Sequence, residues 1–116
     1  MDLYQVYFDL RPGVRDTTLV EGLERYLGHL REQGLIAGWR LTRAKLGFGL
    51  KGHGDWMLTI EVRDLAQLEA AFQQVAGRRD PVEGLHFGVN SLVANPVFAL
   101  YRDFPDSVRH HGEERF

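Results

Sequence analysis

An α+β fold, with helices packed on one face of a four-stranded antiparallel sheet in the order βαββαβ, is what the 116-residue sequence predicts. Three observations carry that expectation. Residues 3–10 and 55–63 alternate along the chain with the period of a strand, residues 16–33 repeat apolar positions with the period of a helix, and Gly47, Gly49, Gly52 and Gly54 punctuate the chain between two strands. Hydrophobic residues make up 44% and charged residues 26%, the composition of one ordinary domain. A chain this short buries roughly 65% of the surface its unfolded form exposes, enough for a single core and little more.

In the first strand Tyr4, Val6, Phe8 and Leu10 face one way and Leu3, Gln5, Tyr7 and Asp9 the other, and Pro12 with Gly13 ends it. Residues 16–33 follow as a helix: Leu19, Val20, Leu23, Tyr26, Leu27 and Leu30 form its apolar stripe, Thr18 and Glu21 have capping-box spacing, and Gly34 stops it. The second strand spans residues 38–46. The third spans 55–63, where Trp56, Leu58, Ile60 and Val62 alternate with Met57, Thr59 and Glu61, and the glycine segment joins the two as a hairpin. Asp64 is placed as the N-cap of a second helix with Leu65, Leu68, Phe72 and Val75 inward and Gly77 near its end. After Pro81 a short helical stretch carries Leu85, Val89, Leu92 and Val93, Pro96 closes it, and residues 97–102 form the last strand. This is the ferredoxin-like plan with an extra helical turn or two before the final strand, one domain over residues 1–105 followed by a C-terminal tail at 106–116.

Several function classes lose support at once. Fourteen basic against sixteen acidic residues leave a formal charge of -2, which argues against nucleic acid or an anionic membrane as partner. The RNA-recognition fold shares this strand order, but the run GDWMLTI at residues 54–60 lacks the basic and aromatic character of an RNA-contacting strand. There is no cysteine, so disulfide, thiolate and cysteine-nucleophile chemistry are excluded. No stretch approaches the roughly 20 apolar residues of a membrane span, and residues 1–10 lack the basic and apolar regions of a signal peptide, so the cytoplasm is the expected compartment. Gly47, Gly49 and Gly52 match GxGxxG beside Lys51, yet a strand rather than a helix follows, so the segment reads as a flexible hairpin or lid instead of a nucleotide cradle. An anion site at Arg11, Gly13 and Arg15 competes with the negative charge of Asp16. Neither His53 with Asp55 nor His110 with His111 has the spacing of a preorganised metal site, and no metal or cofactor is expected.

Two helices cover one face of such a sheet, so the composition of the other face matters most. Its members are Leu3, Gln5, Tyr7, Asp9, Arg40, Thr42, Met57, Thr59, Glu61, Ala99 and Tyr101, with Trp39 and Leu41 assigned to the helix side. That set is too apolar for a solvated face and too polar for a dry core, which is the make-up of a semi-enclosed small-molecule pocket formed when two copies pack face to face. Tyr7, Arg40, Glu61 and Tyr101, from four strands, are the substrate-binding candidates: arginine holds a carboxylate or enolate and tyrosine donates to developing charge. The same residues also fit a polar dimer core built on an Arg40–Glu61 ion pair. His86 and Asn90, four apart at the edge of a helical stripe, are candidates for a catalytic base and a substrate-binding amide, or for a half-buried histidine with a structural role.

The runs YLGHLREQGLIAGWRLTRAKLGFG at residues 26–49, EGLHFGVN at 83–90 and FALYRDFPD at 98–106 resemble a family of small uncharacterised bacterial proteins in the dimeric α+β barrel superfamily, over about residues 1–109. The resemblance implies a homodimer with its site in the barrel lumen. Relatives in that superfamily include cofactor-independent monooxygenases, isomerases, decarboxylases, dye-decolourising peroxidases and stress-induced proteins, and their active residues differ too much to transfer position by position. Two functions are therefore expected as alternatives: a cofactor-independent oxygenase or isomerase acting on a small molecule, or a noncatalytic ligand-binding or structural dimer.

Overall fold

In the computed structural model, which describes residues 1–106 and Val108, the chain runs β1 (Asp2–Leu10), α1 (Asp16–Glu32), β2 (Gly38–Arg43), β3 (Trp56–Val62), α2 (Leu65–Ala76), α3 (Val82–Asn90) and β4 (Val93–Arg102). The strands form one antiparallel sheet in the order β2-β3-β1-β4, so the architecture is the expected α+β ferredoxin-like fold. Apart from Asp106 and Val108, the tail expected at 106–116, with its His110–His111 pair, lies outside the described residues.

The core sits between the helices and the sheet face formed by Tyr4, Val6, Phe8, Trp39, Leu41, Leu58, Ile60 and Val62. Leu19, Leu23 and Leu27 of α1 are fully buried against it, each such side chain contributing roughly 1.5–3 kcal/mol. α1 begins at Asp16, with Arg15 as an N-cap that makes no side-chain bond. The expected Thr18–Glu21 box does not form because the helix is already under way two residues earlier; Asp16 instead puts a negative charge on the positive end of the helix. The helix stops at Gly34, which takes a φ of 72°. There the Gly34 amide bonds to the Arg31 carbonyl at 3.0 Å and the Leu35 amide to the Leu30 carbonyl at 2.9 Å, a Schellman closure that favours glycine. Asp64 does cap α2, accepting from the Gln67 amide at 2.8 Å. Buried Gln67 then receives the Arg63 amide at 2.7 Å and donates to the Gly34 carbonyl at 3.0 Å, tying the two helices together.

Three expectations need correction. β2 ends at Arg43 instead of residue 46, because Leu46 and Gly47 take left-handed φ angles of 55° and 78° and turn the chain out of the sheet. β4 begins at Val93 and carries Pro96 inside it. Proline is tolerated there because β4 is an edge strand, and Asn95, at φ 54°, sits in a bulge where pairing steps from Tyr7–Val97 to Asp9–Ala94. Leu92 and Val93 therefore lead into a strand rather than extend a helix. α2 is also rotated from the expected stripe. It buries Gln67, Leu68 and Ala71, while Leu65 and Phe72 are exposed.

Candidate functional site

Strand pairing arranges the uncovered face in three rows. Tyr101, Leu3, Glu61 and Gly38 form one, Ala99, Gln5, Thr59 and Arg40 the next, and Val97, Tyr7, Met57 and Thr42 the third. Arg40 and Thr42 lie on this face and Trp39 and Leu41 on the other, as the apolarity of the latter pair predicts. Trp56 likewise faces the helix layer, stacked on Phe8 at 6.4 Å between ring centroids, with the Arg43 guanidinium 5.2 Å from its ring on the outside.

The four expected binding residues share the face but do not meet. Neighbouring strands are about 4.8 Å apart, so β2 and β4, the two edges, are separated by about 14 Å, and Arg40 and Tyr101 within one chain cannot grip one small molecule. Glu61 leans the other way, over β2: its Oε2 would lie 3.2 Å from a Cβ on Gly38. No ion pair joins Arg40 to Glu61 among the described residues, so the polar core built on that pair is not formed within one chain.

His86 and Asn90 are elsewhere. Both lie on α3, in the helix layer, where the His86 ring packs 5.5 Å from the Tyr26 ring of α1. They line one groove of about 290 Å³ together with Val75, Arg78, Glu83 and Phe87. The sheet separates this groove from Tyr7, Arg40, Glu61 and Tyr101, which corrects the expectation that the imidazole and the open-face groups act on one ligand. Period alone placed His86 at the edge of a stripe; it could not show that α3 packs on α1, where Gly22 admits Val89 to 3.4 Å from the position of a missing Cβ. Burial of the neighbouring Tyr26 pushes its phenol up to about 12, and the charge of Tyr4 adds to the effect.

Among the described residues the imidazole that reaches the open face belongs to His53, which the sequence presents only as half of an unconvincing metal pair. The β2–β3 connection arches back over the third row, so that His53 packs edge-on to Tyr7 with ring centroids 5.3 Å apart. Its Nδ1 bonds to the Lys51 carbonyl at 3.1 Å. Gly54 permits this return, since a Cβ there would collide with the Phe8 backbone. Beneath the loop is a cavity of about 260 Å³ lined by Tyr7, Thr42, Met57, Phe48, Leu50 and Asp55, among others. The available signal was the run GHGD at residues 52–55, in which glycines on both sides free an imidazole to fold back on the sheet. The GxGxxG glycines lie in the same connection, and β3 follows it, so no helix N-terminus faces them. At the other turn, Arg11 donates from Nε to the Val93 carbonyl at 2.9 Å and ties down β4.

Among the described residues no group of three or more His, Cys, Asp or Glu is placed to hold a metal ion, and no helix is long and apolar enough to cross a membrane.

Solved structures share this fold at low identity. A protein from Arabidopsis thaliana is 10% identical, with a TM-score of 0.68 over 93% of this chain and 100% of that one. A dimeric ferredoxin-like protein of unknown function from Jannaschia sp. is 11% identical, with a TM-score of 0.62 over 89% of this chain and 100% of that one. An antibiotic biosynthesis monooxygenase is 15% identical, with a TM-score of 0.60 over 90% of this chain and 100% of its own. Likeness at these identities is likeness of fold. No curated protein matches the sequence. Over residues 1–116 the chain matches the profile of DUF6614, a family of unknown function, and it belongs to that family.

Proposed function

We propose that the protein is a homodimer whose uncovered sheet faces enclose a pocket for a small molecule, on which it acts as a cofactor-independent oxygenase or isomerase. The observation that carries this reading is the make-up of the three rows: apolar and aromatic side chains interleaved with Arg40, Glu61, Thr59 and Gln5 on a face that no helix covers among the described residues. Dimeric relatives of the same fold support it, and the monooxygenase among the similar structures supports the oxygenase alternative. A twofold axis running along the strands lays β2 of one copy over β4 of the other. Arg40 and Tyr101, too far apart in one chain, then approach from opposite copies, a natural place for a carboxylate or enolate. Tyr7 and Glu61 line the same lumen.

A second reading, a noncatalytic ligand-binding or structural dimer, is favoured by one observation: His86, the expected base, lies behind the sheet with Asn90. Native mass spectrometry of the purified full chain tests the main reading. A dimer carrying a small compound that is lost in Arg40→Ala and Tyr101→Phe supports it; retention of the compound by both variants, or a monomer with nothing bound, contradicts it.

A further inference from the structure

We infer that the β2–β3 connection is a docking finger for an anionic lipid surface, a role that goes beyond the lumen site and does not need its ligand. Leu46, Phe48 and Leu50 stand at alternate positions of this connection, and each keeps more than half of its surface exposed. Single exposed apolar residues are ordinary, but three on one pinned loop mark a contact surface. The loop is ordered by its own bonds. Its neck closes where the Ala44 amide bonds to the Asp55 carbonyl at 2.7 Å, and two turns lie beyond it, the Phe48 amide on the Lys45 carbonyl at 2.9 Å and the His53 amide on the Leu50 carbonyl at 3.2 Å. In the first turn Leu46 and Gly47 take left-handed φ angles of 55° and 78°, and the Leu46 side chain is left in solvent. Phe48 and Leu50 border the cavity of about 260 Å³ beneath, yet neither enters the core.

Charge selects the occupant. Lys45 and Lys51 flank the three apolar residues, and neither is in an ion pair among the described residues. No acidic residue occurs from 43 to 54. At the base Arg43 pairs with Asp16 at 3.9 Å, and Asp55 sits at the neck, its Oδ1 3.1 Å from where a Cβ on Gly49 would lie. The two lysines are therefore the charges of the tip. A net charge of -2 opposes any long-range pull of the whole molecule toward anionic lipid, but salt screens exposed charges beyond about 10 Å, so the lysines act locally. The apolar side chains enter the boundary between headgroups and acyl chains while the ammonium groups meet lipid phosphates. A second copy suits the tip less well. An axis along the strands, as proposed above, sets both loops at one end of the dimer, where their lysines repel each other yet rest together on one flat surface.

Cosedimentation of the full chain with lipid vesicles tests this. Wild type is expected to pellet with vesicles of phosphatidylcholine and phosphatidylglycerol, to bind phosphatidylcholine alone about tenfold or more weakly, and to be released as salt is raised. Phe48→Ser should weaken binding to the mixed vesicles about tenfold or more. Lys45→Gln combined with Lys51→Gln should reduce it to the level seen on phosphatidylcholine alone. All three side chains are exposed, so the variants should keep the thermal midpoint of wild type. Absence of binding, equal binding to the two kinds of vesicle, or binding by Phe48→Ser as tight as that of wild type overturns the inference. So does dissociation of Phe48→Ser to a monomer in sedimentation equilibrium, at a concentration where wild type is a dimer, since that assigns the tip to the second copy.

Discussion

Asp2 is 4% exposed and sits at the margin of the sheet, where its carboxylate takes a bond from Arg102 Nε at 2.8 Å. That bond raises Arg102 above its ordinary pKa, with the charges of Asp2 and Asp106 adding to it. Asp2→Ala is expected to cost about 1–3 kcal/mol in urea unfolding, and a loss below about 0.5 kcal/mol would contradict this account of the pair. Tyr26 makes a pH prediction. Its phenol is raised from 10.0 to about 12 in the fold, so the protonated form stabilises the folded state fully below pH 10.0, and that contribution is lost as pH rises towards about 12. The urea midpoint of wild type should therefore fall more between about pH 9 and about pH 11 than that of Tyr26→Phe, and equal falls would refute the burial argument. Core leucines such as Leu19, Leu23 and Leu27 could be read from period alone. The buried polar partners could not, because Asp2 meets Arg102 and Gln67 meets Gly34 only after the chain has folded.

Among the elements, the β2–β3 connection combines exposed apolar side chains with a fixed end. Leu46 is 90%, Phe48 85% and Leu50 58% exposed, yet its far end is pinned to β1, where the Asp55 amide reaches Asp9 Oδ1 at 3.4 Å and Gly54 passes against the Phe8 backbone. Gly54→Ala should cost roughly 1–3 kcal/mol and speed hydrogen exchange at the end of β1. An unaltered thermal midpoint with unaltered exchange would show that the close approach does not hold. Strand and helix identities followed from period, and Gly34 and Asp64 marked real ends. Pro96 misled because it reads as a stop, and only the place of β4 at the sheet edge makes it harmless. Phe72 misled in another way: it packs edge-on to Tyr4 at 5.3 Å, at the rim of the helix layer, instead of entering the core.

For the whole molecule, the order of elements was enough to anticipate two layers with one face left bare, and alternation was enough to name the residues on it. Which histidine accompanies them was not, since that depends on how a loop folds back and on which layer α3 joins. Val97 and Tyr101 on the bare face, and Phe98 and Leu100 beyond the helices on the other, leave β4 apolar and exposed along an edge that pairs with no further strand among the described residues. Such an edge invites pairing or cover. Sedimentation equilibrium of the full chain at micromolar concentration puts this most directly to the test. A mass of twice the 13.3 kDa of one chain is what a covered face requires; a single-chain mass throughout would leave Tyr7, Arg40 and Thr59 in water and deprive the proposed pocket of its second wall.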